Sequence, residues 1–450
     1  MLGGQWQAKM SEFLKSRIEE TLSMAKRHAQ EAEVFVSSVD DTPVIYEANR
    51  LKQLQTNQSM VVALRIVKDG RIGLSTATTL DDITSLVDRA VEVSQFGTLA
   101  RFELPSWQDY PHVAGYDAEA ETFDVDRMVE LGELLISRVR QHTPDLLCDA
   151  SVGRGVVSVY ILNSRGGEAS FKRSFFGLGL EGNLIRDTDM LFVGDSDSSC
   201  HPIEDIERLV HSVVNQLELS KRQASVTTGH LPVIFTPHGV VSAVIAPLAV
   251  AFNGRVVLQG VSPLLNRKGE QVFSQRLSVR DDATIAYRPR SRPCDDEGIP
   301  SQNTSLVACG VVEGFIYDLQ TAGLAGVKST GSGDRVGGSL PAPSVSNLVV
   351  ETGDTSFEDM VRDVKEGLVV EQLMGATQTN VLGGDFSGNV LLGYKVENGE
   401  IVGRVKDTVV SGNIYQVLDG SIVVGKEARW VGAVFTPAIL CPDLAVGGKG

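Results

Sequence analysis

Apolar residues recur at helical spacing along residues 11–30, where Leu14, Ile18, Leu22, Ala25 and Ala29 share one face. The same spacing returns along 80–95 with Ile83, Leu86, Val87, Ala90 and Val91, so two amphipathic helices are predicted. Between them, 33–39, 44–48 and 60–67 carry the β-branched and alternating runs of strands. The last of these turns through Lys68-Asp69-Gly70-Arg71 into 72–76, and Asp-Gly predicts a tight hairpin because both central residues of such a turn need positive φ.

A second cycle follows a linker at 105–116 rich in Pro and aromatic residues. Val125, Met128, Val129, Leu135, Ile136 and Val139 predict a helix over 124–142, with Gly132 a gap in its stripe. Strand-like runs at 150–162 and 167–182 flank Asn163-Ser164-Arg165-Gly166, and a helix over 203–219 closes the cycle. The order of elements suggests a duplicated helix-and-strand unit within one N-terminal domain, 1–220, although residue identity does not repeat. The polar, aperiodic stretch 220–229 marks a boundary.

The remainder, 221–450, changes character. It holds short β-prone runs at 303–307, 311–317, 346–351, 390–397, 400–405 and 433–440, with Glu397-Asn398-Gly399-Glu400 a hairpin turn. One helix is expected over 356–369, opened by Thr355 with Glu358 as its capping box. The fold class is therefore α+β: an N-terminal α/β domain of helices and antiparallel strands, then a mainly antiparallel β domain, either a curved sheet or barrel-like. Residues 231–252 contain no charged side chain, but the Thr236-Pro237-His238-Gly239 break and Pro247 predict a buried strand, turn and helix, with no membrane span.

Composition excludes some function classes. With 57 acidic against 41 basic side chains the net charge is -16, which repels a phosphate backbone and argues against direct nucleic-acid binding. Five scattered cysteines with no C-x-x-C pair fit reduced thiols, and residues 1–10 hold no apolar core of a secretory signal, so a cytoplasmic location is expected.

Candidate chemistry is sparse. Asp295, Asp296 and Glu297 form a run of oxygen ligands suited to a hard cation. Adjacent extended residues point to opposite faces, so a solvated acidic turn ending in Gly-Ile-Pro is the better reading. No H-E-x-x-H is present, and the nearest approach to a zinc cluster is Cys200-His201 with His211 on the following helix, where a structural or surface role is favoured. His238, alone at a strand-to-helix turn, reads as a capping or packing residue. There is no G-x-S-x-G elbow, and Cys294 and Cys309 have no His nearby in sequence. The Gly-rich stretch 331–338 lacks both phosphate-loop spacings and reads as a mobile loop, one able to bind a substrate or partner through Ser332, Gly333 and Arg335.

Several segments of the second half carry a likeness: Asn266-Arg267-Lys268-Gly269, the 295–300 run, Lys328-Ser329-Thr330-Gly331-Ser332-Gly333, Pro341-Ala342-Pro343-Ser344-Val345-Ser346-Asn347, and Gly353-Asp354-Thr355-Ser356. Gly375, Gly384-Asp385-Phe386-Ser387 and Leu444-Ala445-Val446-Gly447-Gly448 continue it. In order and spacing they resemble the TldD/PmbA family, modulators of DNA gyrase classed as metalloproteases, and residues 33–90 resemble the family's first domain more loosely. The resemblance implies a heterodimer of two kinds of subunit. The catalytic kind carries His-Glu-x-x-x-His on a helix, plus a late cysteine, as zinc ligands and general base.

Here the matching six positions are Ile245-Ala246-Pro247-Leu248-Ala249-Val250, and Val424 stands before Gly425-Lys426-Glu427 in place of the cysteine. Ile245, Ala246, Val250 and Val424 are thus degenerate positions, Cys441 is a buried thiol of the terminal strand, and no catalytic residue or zinc is expected in this chain. The resemblance implies a PmbA/TldE-like subunit that pairs with a zinc-bearing TldD-like partner, or with itself when alone, and takes peptide substrates. Asp295, Asp296, Glu297, Ser332, Gly333 and Arg335 are its candidate substrate- or partner-binding loops. Two alternatives stand beside it: a protein-binding modulator of gyrase without proteolysis, and a metallopeptidase active alone through other ligands.

Overall fold

The computed structural model describes residues 2–187 and 189–448. The first half runs α1 (Leu2–Ala25), β1 (Glu31–Glu47), β2 (Arg50–Leu54), β3 (Asn57–Lys68), β4 (Arg71–Ala77), α2 (Ile83–Ser94), α3 (Ala118–Thr122), α4 (Val125–His142), β5 (Leu147–Asn163), β6 (Glu168–Arg186), β7 (Asp189–Ser199) and α5 (Glu207–Leu219). The strands form one antiparallel sheet in the order β4-β3-β1-β5-β6-β7, with β2 beside β1. The two helix-and-strand units are therefore joined through the β1–β5 pair, from Glu33 opposite Asn163 to Tyr46 opposite Ala150. Asp69 and Gly70 both take positive φ at the β3–β4 turn, as their sequence predicts.

Strand alternation sorts this sheet's faces. Val34, Val36, Leu64 and Ile66 pack with Ile18, Leu22, Leu86 and Val87 of α1 and α2. Val152, Leu178 and Leu180 share a second core with Leu131 and Leu135 of α4 and Val213 of α5. The opposite parity, Phe35, Ala63 and Ile161, packs around Cys294 of the second half.

The second half continues β8 (Gln223–Ala224), β9 (Gly229–Phe235), α6 (Pro237–Val240), a π-helical turn (Val241–Ile245), α7 (Ala246–Ala251), α8 (Gly254–Leu258), β10 (Val279–Asp282), β11 (Asn303–Ala308), β12 (Val311–Val312), α9 (Leu319–Ala325), β13 (Gly333–Asp334), β14 (Ala342–Pro343), β15 (Leu348–Val350), α10 (Phe357–Arg362), β16 (Glu366–Met374), β17 (Asp385–Glu397), β18 (Glu400–Val405), β19 (Val409–Asn413), α11 (Ile414–Asp419), β20 (Val423–Val431) and β21 (Val434–Gly447). Five of these strands close on themselves: β9 pairs β16, then β17, β19 and β21 follow, and β21 returns to β9. Only the β9–β16 pair in that ring is parallel. A barrel rather than an open sheet results, and closure removes its edges. Val233, Phe235, Val370, Phe386, Val410 and Val446 belong to the large core that this half builds.

Two local expectations are corrected. The helix expected over 356–369 ends at Arg362, because Glu366 begins β16, which lies between β9 and β17 and gains ladder bonds on both sides. Its N-cap is Ser356, whose Oγ accepts from the Asp359 N–H, and not Thr355. In the apolar segment, the π turn Val241–Ile245 ends two residues before Pro247, a residue without an N–H for the helical ladder. Among the described residues, no helix is long and apolar enough to cross a membrane.

Candidate functional site

The acidic run lies where the first sheet meets the second half, and it is not solvated. Asp295 and Glu297 are wholly buried and Asp296 nearly so. Asp295 folds the chain back on itself: its Oδ1 accepts from the N–H groups of Glu297 and Ile299, both at 2.9 Å, and Oδ2 accepts from the Gly333 N–H at 2.8 Å. Asp296 accepts from the Arg335 N–H at 2.8 Å and from Arg292 at 2.9 Å. Glu297 accepts from Arg65 at 2.6 Å and from the Leu319 N–H at 2.7 Å, while Arg65 also donates to Glu33 at 2.9 Å. Arg335 closes the set on Glu33.

The expected acidic turn exists, but its charges are met by Arg65 of β3, by Arg292 and by N–H groups of Leu319 and the 333–335 segment. Ser332, Gly333 and Arg335, expected on a mobile loop, are buried in the same knot. Gly333 is required there, since a methyl group at its Cα would lie 2.7 Å from Glu297 Oε2 and 3.0 Å from Asp295 Oδ2. Burial raises the Asp295 and Glu297 carboxyls above the usual carboxylate range, against the pull of Arg292 and Arg65 respectively.

The four positions that the resemblance sets against zinc ligands and base sit in apolar surroundings. Ile245 closes the π turn and joins the large core with Leu248 and Val424, whereas Ala246 and Val250 are half-buried on α7. Val424 lies in β20 opposite Ile439 of β21. None of the four side chains has a donor atom for a metal, so these residues do not fit a zinc ion. Among the described residues, no group of three or more His, Cys, Asp and Glu is arranged to hold a metal.

The other candidate, Cys200 with His201 and His211, does not converge. Cys200 is buried and its thiol is pushed up to about 11 by burial. His201 Nδ1 pairs with Asp117 Oδ2 at 2.6 Å and its ring stacks 3.9 Å from that of Tyr287, while His211 is exposed on α5. Cys441 is buried in β21, as expected, with its thiol raised to about 12 by burial.

A second junction of the two halves is open. A cavity of about 660 Å³ separates β1, β5, β6 and β7 from α6, the π turn, β16 and β17. At its wall Asp195 of β7 binds three partners from other elements: His238 Nε2 at 3.1 Å, Arg429 at 2.7 and 2.9 Å, and Arg208 at 3.4 Å. Burial alone would raise this carboxyl, but the bonds from His238 and Arg429 hold it well below the usual carboxylate range. His238 is thus neither cap nor simple packing residue; Thr236 caps α6, its Oγ1 accepting from the Gly239 N–H. Sequence reasoning missed this bolt because its Asp lies 43 positions from its His, with no motif between them.

Glu371, also unmarked by the sequence, lines the same cavity. It occupies a β-bulge, since Val370 faces Gly393 and Gln372 faces Leu392, leaving Glu371 without a cross-strand partner. Its Oε2 accepts from Thr236 Oγ1 at 2.8 Å, and burial raises its carboxyl above the ordinary value.

Comparison with known proteins agrees with this architecture. Residues 228–448 match the PmbA/TldA metallopeptidase C-terminal domain, and residues 32–94 match the PmbA/TldA metallopeptidase domain 1; the two together span more than half of the chain. The chain is 24% identical over 429 residues to an uncharacterized protein of Methanocaldococcus jannaschii, covering 94% of this chain and 98% of that one. It is also 24% identical over 411 residues to the metalloprotease PmbA homolog of Haemophilus influenzae, covering 90% and 85%. The crystal structure of TldE from Thermococcus kodakarensis has the same fold, with a TM-score of 0.87 at 23% identity over 96% of this chain and 100% of that one. The chain belongs to the PmbA/TldD metallopeptidase family.

Proposed function

We propose that this chain is the non-catalytic, PmbA/TldE-like subunit of a cytoplasmic TldD/TldE-type zinc metalloprotease complex that processes peptides or partly unfolded proteins. The observation that carries this reading is that Ile245, Ala246, Val250 and Val424 are apolar, at the positions that the resemblance sets against the two histidines, glutamate and cysteine of the catalytic kind of subunit. A zinc-activated water needs those ligands and that base, so the hydrolytic step falls to a TldD-like partner.

This chain's own residues contribute the second wall of the substrate cleft. The cavity beside His238 and Glu371 is bounded by a sheet face on one side and the barrel on the other, a concave setting suited to an extended chain. The test is co-expression with a TldD-like subunit. A stable complex that degrades an unfolded protein faster than the partner alone supports the proposal. Failure to associate, or association with no gain in proteolysis, contradicts it, and recovery of gyrase without a peptidase subunit points to a modulator of another kind.

A further inference from the structure

The open junction holds a carboxylate with which no cation is in ion-pair contact among the described residues. Five carboxylates, Glu47, Asp149, Glu181, Asp195 and Glu371, line the larger cavity, and no Lys or Arg does so among the described residues. Asp195 is neutralised by Arg429, and Glu47 pairs with Lys52 at 3.5 Å. Glu371 accepts one side-chain hydrogen bond, from the Thr236 hydroxyl; His238 and Arg429 lie near enough to attract its charge, but His238 Nε2 and both terminal nitrogens of Arg429 are bonded to Asp195. Glu371 is half-buried and opens onto the cavity, so its carboxylate can still take a cation in direct contact. The bulge that aims Glu371 inward is the device by which a strand redirects one side chain.

The cavity floor is shaped to match. In register across three strands, Ser151, Gly179 and Ser196 form one row and Gly153, Gly177 and Ser198 the next. A methyl group added at Gly153 meets nothing within 4 Å, and one at Gly177 meets only the Asp197 carbonyl at 3.7 Å. These rows leave a trough, bare of long side chains, that runs into an adjoining cavity of about 370 Å³ walled by Trp430.

We infer that this trough seats an extended peptide and that Glu371 is the counter-ion for one of its Lys or Arg side chains. The inference rests on the peptide-binding role proposed above and adds its specificity. A lysine reaching Glu371 would supply a cation in direct contact through a charge-assisted hydrogen bond.

The test is fluorescence anisotropy on the full-length chain with three labelled peptides that are identical except for one central residue: Lys, norleucine or Glu. Unlabelled spermidine serves as a competitor. The lysine peptide should bind about tenfold more tightly than the norleucine peptide, the glutamate peptide should be weakest, and Glu371→Gln should erase the difference. Gly177→Leu, which projects into open space, should weaken all three peptides alike.

Equal binding of the three peptides, or a preference that survives Glu371→Gln, overturns the counter-ion role while leaving the peptide-binding proposal standing. Binding of spermidine with no peptide binding overturns both the trough and the peptide proposal. Unchanged thermal melting of Glu371→Gln and Gly177→Leu shows that lost affinity is not lost structure.

Discussion

The two junctions between the N-terminal sheet and the barrel half invite comparison, because both are built from buried carboxylates and only one is finished. At the first, Glu33, Asp296 and Glu297 each accept from an arginine, and Asp296 and Glu297 also from a backbone N–H. At the second, Asp195 is fully engaged but Glu371 faces a cavity with a single hydroxyl partner. The closed junction fixes the halves against each other, and the open one leaves space and unspent charge. Equal chemistry at the two places should therefore give unequal effects.

The largest effect is expected at the closed junction. Arg65→Met leaves Glu33 and Glu297 buried with one cation fewer and should cost about 3–5 kcal/mol in denaturant unfolding; a loss below about 1 kcal/mol would mean that the knot is not a structural clamp. Asp195→Asn, at the open junction's one saturated node, should cost about 2–3 kcal/mol near neutral pH. Its sign with pH is fixed by the lowered carboxyl. The native group loses its proton more readily than the unfolded one, so its contribution is complete above about pH 4 and fades as pH falls below that. The wild-type advantage over Asp195→Asn should shrink in acid, and an advantage that grows in acid would contradict the ion-pair assignment.

Gly333→Ala should cost about 1–3 kcal/mol, since its methyl group must displace Glu297 or Asp295. The smallest effect belongs to Glu371→Gln, which should leave stability within about 1 kcal/mol of wild type or raise it. Here the carboxyl is raised by burial, so its contribution is complete below about pH 4 and is lost as pH rises through the raised value. The variant should accordingly gain on wild type as pH increases. A large loss at Glu371→Gln would erase the contrast between the junctions.

Much of the scaffold was legible because its determinants are local. Asp69-Gly70 and Asn398-Gly399 announce their hairpins through the φ each turn requires, and all four residues take it. The sequence left a curved sheet and a barrel both open, and could not decide for closure because the β9–β16 and β9–β21 pairings join segments more than 130 residues apart. The same ladder turned residues 366–369 from expected helix to strand. The acidic run was recognisable as a turn through Gly298 and Pro300, but not as buried, because Arg65 lies 232 positions from Glu297 and Arg335 lies 302 from Glu33. His238 and Glu371 carried no sequence signal. One acts through a distant Asp and the other through a bulge, and neither leaves a periodic trace.

The proposal that this chain lacks the zinc site of a catalytic partner is tested most directly by zinc stoichiometry. Full-length protein equilibrated with zinc, freed of loosely bound ion and weighed by native mass spectrometry should carry no metal, whereas a TldD-like subunit treated in parallel should retain it. One tightly held zinc per chain, resistant to that treatment, would contradict the account.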